Sequence, residues 1–283
     1  MGLPRGPLAD GLPPGNPYLT LQSSLQQYPY PVPAFHTSYI ASIAIPFWPL
    51  PTDAGAHGPA LDHHLLLNLW IALTLAALAH LILFAGLILR RRAEGTSLVR
   101  VEYIPLAALA LIFTILTIKA ERLWAATRYT GASLTAIQVE ITGVQFAWYF
   151  RYPGLDAAFG ITRPQLIAPG EGNPLGLDPT DPHSPDDIIT SDLVLPANRE
   201  VDLTIRAQDV IHGLSIPELR LKQNAIPGQP IHIHFTPTTP GTYAILCTQL
   251  CGLGHYRMNA TLRVVPADEF TTWLSSKQKA ATP

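Results

Sequence analysis

Residues 65–89 (LLLNLWIALTLAALAHLILFAGLIL) run for 25 positions without a formal charge. As an α-helix this stretch rises about 37 Å at roughly 1.5 Å per residue, enough to cross a bilayer with some tilt. Composition points the same way, because charged residues make up only 13% of the chain, about half the share usual in soluble domains. A second apolar run, residues 103–118 (YIPLAALALIFTILTI), covers 16 positions, or about 24 Å. It spans only if Glu102 and Lys119 snorkel, or if Leu98 and Val99 already belong to the helix. Pro105 is predicted in the first turn, where its missing N–H costs little. The sequence thus predicts a transmembrane hairpin over residues 65–123.

The connection between the two runs carries Arg90, Arg91, Arg92 and Arg100, whereas Arg5 is the one Lys or Arg in residues 1–64. This asymmetry predicts a cytoplasmic loop and both termini outside, on the periplasmic side of a bacterial inner membrane. Residues 1–64 read as a proline-rich extension, and no cleavable signal is expected because no apolar core follows a basic start. A net charge of -2 argues against a nucleic-acid partner. His80 lies near the middle of the first span, where a neutral imidazole bonded to a neighbouring helix or subunit is the expectation. Glu102, at the cytoplasmic mouth of the second span, reads as an interface marker.

Beyond the hairpin the apolar period changes to two. Val201, Leu203 and Ile205 alternate with Asp202, Thr204 and Arg206, and Leu262 and Val264 alternate with Thr261 and Arg263. Together with runs at 231–235 and 242–246 around the turn Thr239-Pro240-Gly241, this predicts a β-sandwich or barrel over residues 136–267. Residues 155–187 are too long for an ordinary loop and read as an insertion at the domain edge. Its Asp178, Asp181, His183, Asp186 and Asp187 read as a flexible acidic loop rather than a cation site. His232 and His234 share one face of a strand and read as solvated. Residues 268–283 read as a short polar helix or tail.

The chemistry is concentrated in Cys247-Thr-Gln-Leu-Cys251-Gly-Leu-Gly-His255-Tyr-Arg-Met258 and in His212 upstream. Three readings fit. A Cys247–Cys251 disulfide suits an oxidising compartment but leaves His255 and Met258 without a role. Zinc takes two Cys and two His but leaves the methionine idle. Copper uses thiolate, imidazole and a weak thioether together. Two thiolates on one loop can bridge two copper ions, with His212 and His255 completing one metal each, Met258 weakly axial, and the Gln249 carbonyl serving the other.

These residues, carried behind a two-helix hairpin, closely resemble subunit II of the haem-copper oxidases with its binuclear CuA centre. Further matching stretches are residues 142–150 (TGVQFAWYF), 209–212 (DVIH) and 216–228 (IPELRLKQNAIPG). The resemblance extends over about residues 65–266. It implies a cupredoxin domain that accepts electrons from cytochrome c and passes them to haem in subunit I. Oxygen is reduced to water there, coupled to proton translocation, so this chain holds no catalytic oxygen site of its own. The aromatics Phe146, Trp148 and Tyr149 are the implied electron-accepting surface, with strand packing as the alternative for those rings. The absence of a Cys-x-x-Cys-His motif predicts that the cytochrome donor is a separate protein.

The chain also departs from the family pattern. Position 249 is commonly Glu and helps hold an interface magnesium; Gln249 is neutral, and Asn224 stands where Asp is frequent. Phe146 replaces a common Trp. Gly213, Gln249 and Phe146 are reminiscent of B-type oxidases, whereas residues 216–228 look more like the A type. Two alternatives remain at this stage, the CuA subunit of a nitric oxide reductase and a membrane-tethered copper-handling protein. A quinol oxidase relative is disfavoured because the copper ligands are present.

Overall fold

The computed structural model describes residues 50–89, 99–128 and 131–281. The N-terminal extension through residue 49, the arginine-bearing loop and the Glu102 side chain lie outside the described residues. Helix α1 spans Gly58–Leu89 and helix α2 spans Val99–Arg128. Both are long and apolar enough to cross a membrane. Their lengths of 32 and 30 residues correspond to about 48 and 45 Å. Leu81, Leu83, Leu87 and Phe113 stand exposed along them, as lipid-facing side chains must.

One expectation about the hairpin is corrected here. Because α2 begins at Val99, Pro105 falls in its second turn, where the helix forgoes one i to i−4 hydrogen bond. His80 Nδ1 lies 2.7 Å from the Ala76 carbonyl one turn earlier in its own helix.

After the hairpin, the described residues form ten strands in two five-stranded sheets. The first holds β1 (Ile137–Val144), β2 (Ala147–Tyr152), β3 (Ile188–Thr190), β5 (Val201–Ala207) and β8 (Ile231–Phe235), in the order β3-β2-β1-β5-β8. The second holds β4 (Leu193–Pro196), β6 (His212–Ile216), β7 (Leu221–Ala225), β9 (Gly241–Cys247) and β10 (Asn259–Val265), in the order β4-β10-β9-β6-β7. Pairs β1–β5 and β4–β10 are parallel and the remaining ladders antiparallel. Period two holds for the apolar positions: Val201, Leu203 and Ile205 are buried while Arg206 is exposed, and Leu262 and Val264 are buried while Arg263 is exposed; Thr204, expected to face outward, is buried as well. Ile141, Trp148 and Phe150 from one sheet share a core with Leu214, Ile216 and Ile245 from the other.

The hairpin is tied to this domain at both ends. Residues just before α1 form an edge: Ala54 N–H donates to the Glu218 carbonyl at 2.9 Å, and Thr238 N–H donates to the Ala54 carbonyl at 2.7 Å. Arg220 pairs with Asp62 in α1 at 2.7 Å. At the end of α2, Arg128 donates to the Gln223 side chain at 2.9 Å and to the Lys222 carbonyl at 3.1 Å. The start of α1 and the end of α2 therefore lie on the same side as the β domain.

The long segment between β2 and β3 folds back on its own sheet. Arg151, 2% exposed, reaches Glu140 at 3.0 Å and also binds Asp187 and the Gly160 carbonyl. Asp186 accepts from Leu155 N–H at 2.7 Å, and Asp178 from Thr180 N–H at 3.0 Å. The carboxylates thus cap turns. Bonds from Thr180 and Arg163 hold the Asp178 carboxyl well below its usual 3.8, at about 2. Stability from a depressed carboxyl is present above the unfolded value and is lost as pH falls through the folded one. Amide protection in residues 160–181, taken relative to the intrinsic exchange rate, is therefore expected to fall between about pH 4 and 2, before the strand core opens.

Helix α3 (Ala267–Ala281) closes the described chain. Its Trp273 meets the Tyr152 ring edge-on at 5.1 Å, and Phe270 stacks on Trp273 at 5.8 Å. The polar tail read from the sequence is a helix with one packed aromatic face. His232 and His234 share the outward side of β8: His232 lies 3.6 Å from Asp202, and His234 lies 3.2 Å from the Ala126 carbonyl.

Candidate metal centre

Five sequence-predicted side chains meet at one end of the second sheet. His212 opens β6 and Cys247 closes β9, where those neighbouring strands place Leu214 opposite Cys247. The chain then loops through Gln249 and Cys251, makes a single turn over His255–Arg257, and re-enters the sheet after Met258. The loop is anchored by Cys247 N–H to the Met258 carbonyl at 3.1 Å and Thr248 N–H to the Gly213 carbonyl at 2.8 Å. Gln145 from the β1–β2 turn donates its side-chain amide to the Cys251 carbonyl.

Sulfur is dense here. The Cys247 and Cys251 Sγ atoms are 3.9 Å apart as free thiols. Cys251 Sγ lies 3.7 Å from His255 Nδ1 and 3.7 Å from Met258 Sδ. The Gln249 carbonyl is 3.3 Å from Cys247 Sγ. Ligand atoms of His212, Cys247 and Cys251 all lie within 4.8 Å of one another. Burial, then the neighbouring Cys247, pushes the Cys251 thiol up to about 11. Adjacent thiolates in this setting need a compensating cation.

His212 is fully buried, with Nε2 2.8 Å from Asp209 Oδ1. A carboxylate carries no proton, so Nε2–H must be the donor, which leaves the lone pair of a neutral imidazole on Nδ1. That Nδ1 is buried and, among the described residues, has no hydrogen-bond partner. Burial alone would raise the Asp209 carboxyl, but bonds from His212, Gln145 and Val210 hold it below its ordinary value. An ionised carboxylate fixing the tautomer of an otherwise unpartnered imidazole is how ligating histidines are oriented. The donor set therefore fits a soft transition metal.

Glycines let the loop approach. A Cβ on Gly213 would lie 2.6 Å from Thr248 Oγ1 and 2.9 Å from Gln249 N. One on Gly254 would lie 2.4 Å from the Phe146 ring. Gly213→Ala is expected to cost about 1–3 kcal/mol through overpacking and to lower metal uptake, checked by thermal melting and metal analysis. Among the implied electron-accepting aromatics, Phe146 and Tyr149 are half-buried. Trp148 is 2% exposed and meets the His212 ring edge-on at 5.8 Å. It is an inner ring, not a surface one. Asp209 and Gln145 were not singled out in the sequence; an Asp three residues before a candidate ligand His was the available signal for the first.

Two mixed sheets behind a helical hairpin, with thiol, imidazole and thioether groups gathered at one end, define a membrane-anchored cupredoxin-like protein. Residues 137–265 match the family described as "Cytochrome C oxidase subunit II, periplasmic domain". The β domain thereby belongs to the cytochrome c oxidase subunit II family. The "Alternative cytochrome c oxidase subunit 2" of Bradyrhizobium diazoefficiens is 37% identical over 148 residues, 52% of this chain and 53% of that one. "Cytochrome c oxidase subunit 2" of Synechocystis sp. is 31% identical over 146 residues, 52% of this chain and 35% of that one. The chain thus spans about half the length of the first relative and about a third of the second. A crystal structure of the periplasmic domain of subunit II of cytochrome oxidase from Bradyrhizobium japonicum is 23% identical, with a TM-score of 0.39. It covers 53% of this chain and 99% of its own.

Proposed function

We propose that this chain is the electron-transfer subunit of a respiratory cytochrome c oxidase, holding a binuclear CuA centre on the periplasmic side of a bacterial inner membrane. Electrons come from cytochrome c and go to haem in the haem-copper subunit I, where oxygen becomes water and protons are translocated. The ligands are His212 Nδ1, Cys247, Cys251, His255, Met258 and the Gln249 carbonyl. A copper pair bound there supplies reversible one-electron exchange with little change in geometry.

The chain's own residues prepare that exchange. Cys247 and Cys251 bring two anions to one point. Asp209 keeps His212 in the metal-binding tautomer, and Trp148 walls its ring from water. Phe146 and Tyr149 form the outer, electron-accepting surface, with Trp148 between surface and ligand. A hard divalent ion prefers carboxylate oxygens, and the neutral Gln249 and Asn224 offer none, so this reading includes no interface magnesium at these two positions. The two hairpin ends tied to the β domain support outside termini, in line with the arginines of the connecting loop.

One observation carries the proposal: a fully buried imidazole nitrogen without a partner, directed by a carboxylate and set among two thiols. Membranes carrying the His212→Ala chain are expected to oxidise reduced cytochrome c at least about 100-fold more slowly, with the haem spectrum of subunit I unchanged. Undiminished oxidation would defeat the reading.

A further inference from the structure

Gly143 is buried in β1, the central strand of the first sheet. Glycine weakens a strand there, and its φ is not positive, so the backbone itself does not ask for one. A glycine inside a strand then marks the close approach of another group, and here that group is a pair of rings. A Cβ on Gly143 would lie 2.9 Å from His212 Cδ2, 3.0 Å from His212 Cγ and 3.0 Å from Trp148 Cζ3. Gly143 stands directly opposite Trp148 in the β1–β2 ladder, and the indole reaches over it to meet the His212 ring edge-on. His212 belongs to the second sheet. At Gly143, therefore, a candidate ligand of one sheet rests on the backbone of the other.

Resting on the function proposed above, we infer that Gly143 is a positioning residue, whose missing side chain lets Trp148 and His212 close over β1 and so aims His212 Nδ1 at the metal. The strand cannot back away to admit a methyl group. Gly143 pairs with Trp148 on one side and with Ala207 of β5 on the other, and its carbonyl accepts from Gln208 N–H at 3.0 Å. Trp148 is wedged in the shared core. The imidazole yields first: it hangs from the first residue of β6, and its ring is held by the hydrogen bond from Nε2 to Asp209 at 2.8 Å. A methyl pressing on Cδ2 moves the adjacent Nε2 and swings Nδ1 with it. Close-packed interiors transmit such strain rather than absorb it. Gly143 thus directs the ring through carbon contacts, as Asp209 does through a hydrogen bond.

The test loads the full-length chain with copper ions and reads metal affinity, the hyperfine pattern of the paramagnetic signal and the reduction potential, beside melting of the same chain without metal. Gly143→Ala is expected to weaken copper binding about 10–100-fold and to change the splitting and potential of the copper that remains. The metal-free variant is expected to keep a single cooperative melt. Gly143→Ala with Trp148→Phe returns space at Cζ3, so that chain is expected to match Trp148→Phe alone in affinity and splitting. The same comparison decides the matter if the single variant does not fold. Parent-like affinity, splitting and potential in Gly143→Ala would overturn the inference, and so would a double variant that binds copper worse than Trp148→Phe alone. Failure of the unmutated chain to bind copper would instead strike at the function itself.

Discussion

Cys251→Ser is expected to leave the chain folded and unable to hold a pair of copper ions. Cys251 is the hub of the site: its sulfur faces Cys247, His255 and Met258 at 3.9, 3.7 and 3.7 Å. A serine hydroxyl is close in size but is not a thiolate at neutral pH, so the bridging anion disappears. Partners outside the ligand shell are already worth about 10–100-fold in metal affinity or activity. Removing a bridge is expected to cost more than that, with cytochrome c oxidation falling over about 100-fold. Copper analysis should find one ion or none, and the melting temperature should move little in the metal-free chain. Met258→Leu is the contrasting variant: it keeps the thiolates, so both ions stay and only the potential shifts. A two-copper spectrum retained in Cys251→Ser would contradict the bridging role.

The second large effect is on stability. Arg151 lies buried between Glu140 and Asp187, with Nε 3.1 Å from Asp187 Oδ2 and NH1 3.0 Å from Glu140 Oε2. Arg151→Met leaves the buried Asp187 carboxyl without its cation and leaves Glu140 with Arg206 alone, at 3.1 Å, a loss of about 3–5 kcal/mol. Burial already raises the Asp187 carboxyl even with Arg151 present. An acid whose folded pKa is raised takes up its proton first in the native state, so its penalty is full at higher pH and fades on acidification. The variant should therefore melt higher at about pH 5 than at pH 7.5. Adding Glu140→Gln and Asp187→Asn should restore most of the loss. If the single variant melts like the parent at pH 7.5, the network is not the clamp that holds the long β2–β3 segment.

Much of this was legible in the sequence because it is local or periodic. The apolar runs gave the hairpin, period-two alternation gave β5 and β10, and twelve residues from Cys247 to Met258 carried most of the donor set. What was hidden depends on contacts between distant residues. Nothing near Trp148 in sequence says that its ring ends against His212. The reach of residues 155–187 onto Arg151, the edge made by Ala54, and the Arg220–Asp62 tie all join separate stretches of chain. Pro105 was placed one turn too early because helix propensity does not register where a span starts when apolar residues begin only later. The close approaches at Gly213 and Gly254 were invisible for the same reason: what a glycine makes room for lies elsewhere in the chain.

Electron paramagnetic resonance of the purified full chain, loaded with copper and counted for metal on the same sample, tests the central claim most directly. The expected result is two coppers per chain and a mixed-valence signal split into seven hyperfine lines. A single copper with four lines, bound zinc, or a Cys247–Cys251 disulfide with no metal would contradict it.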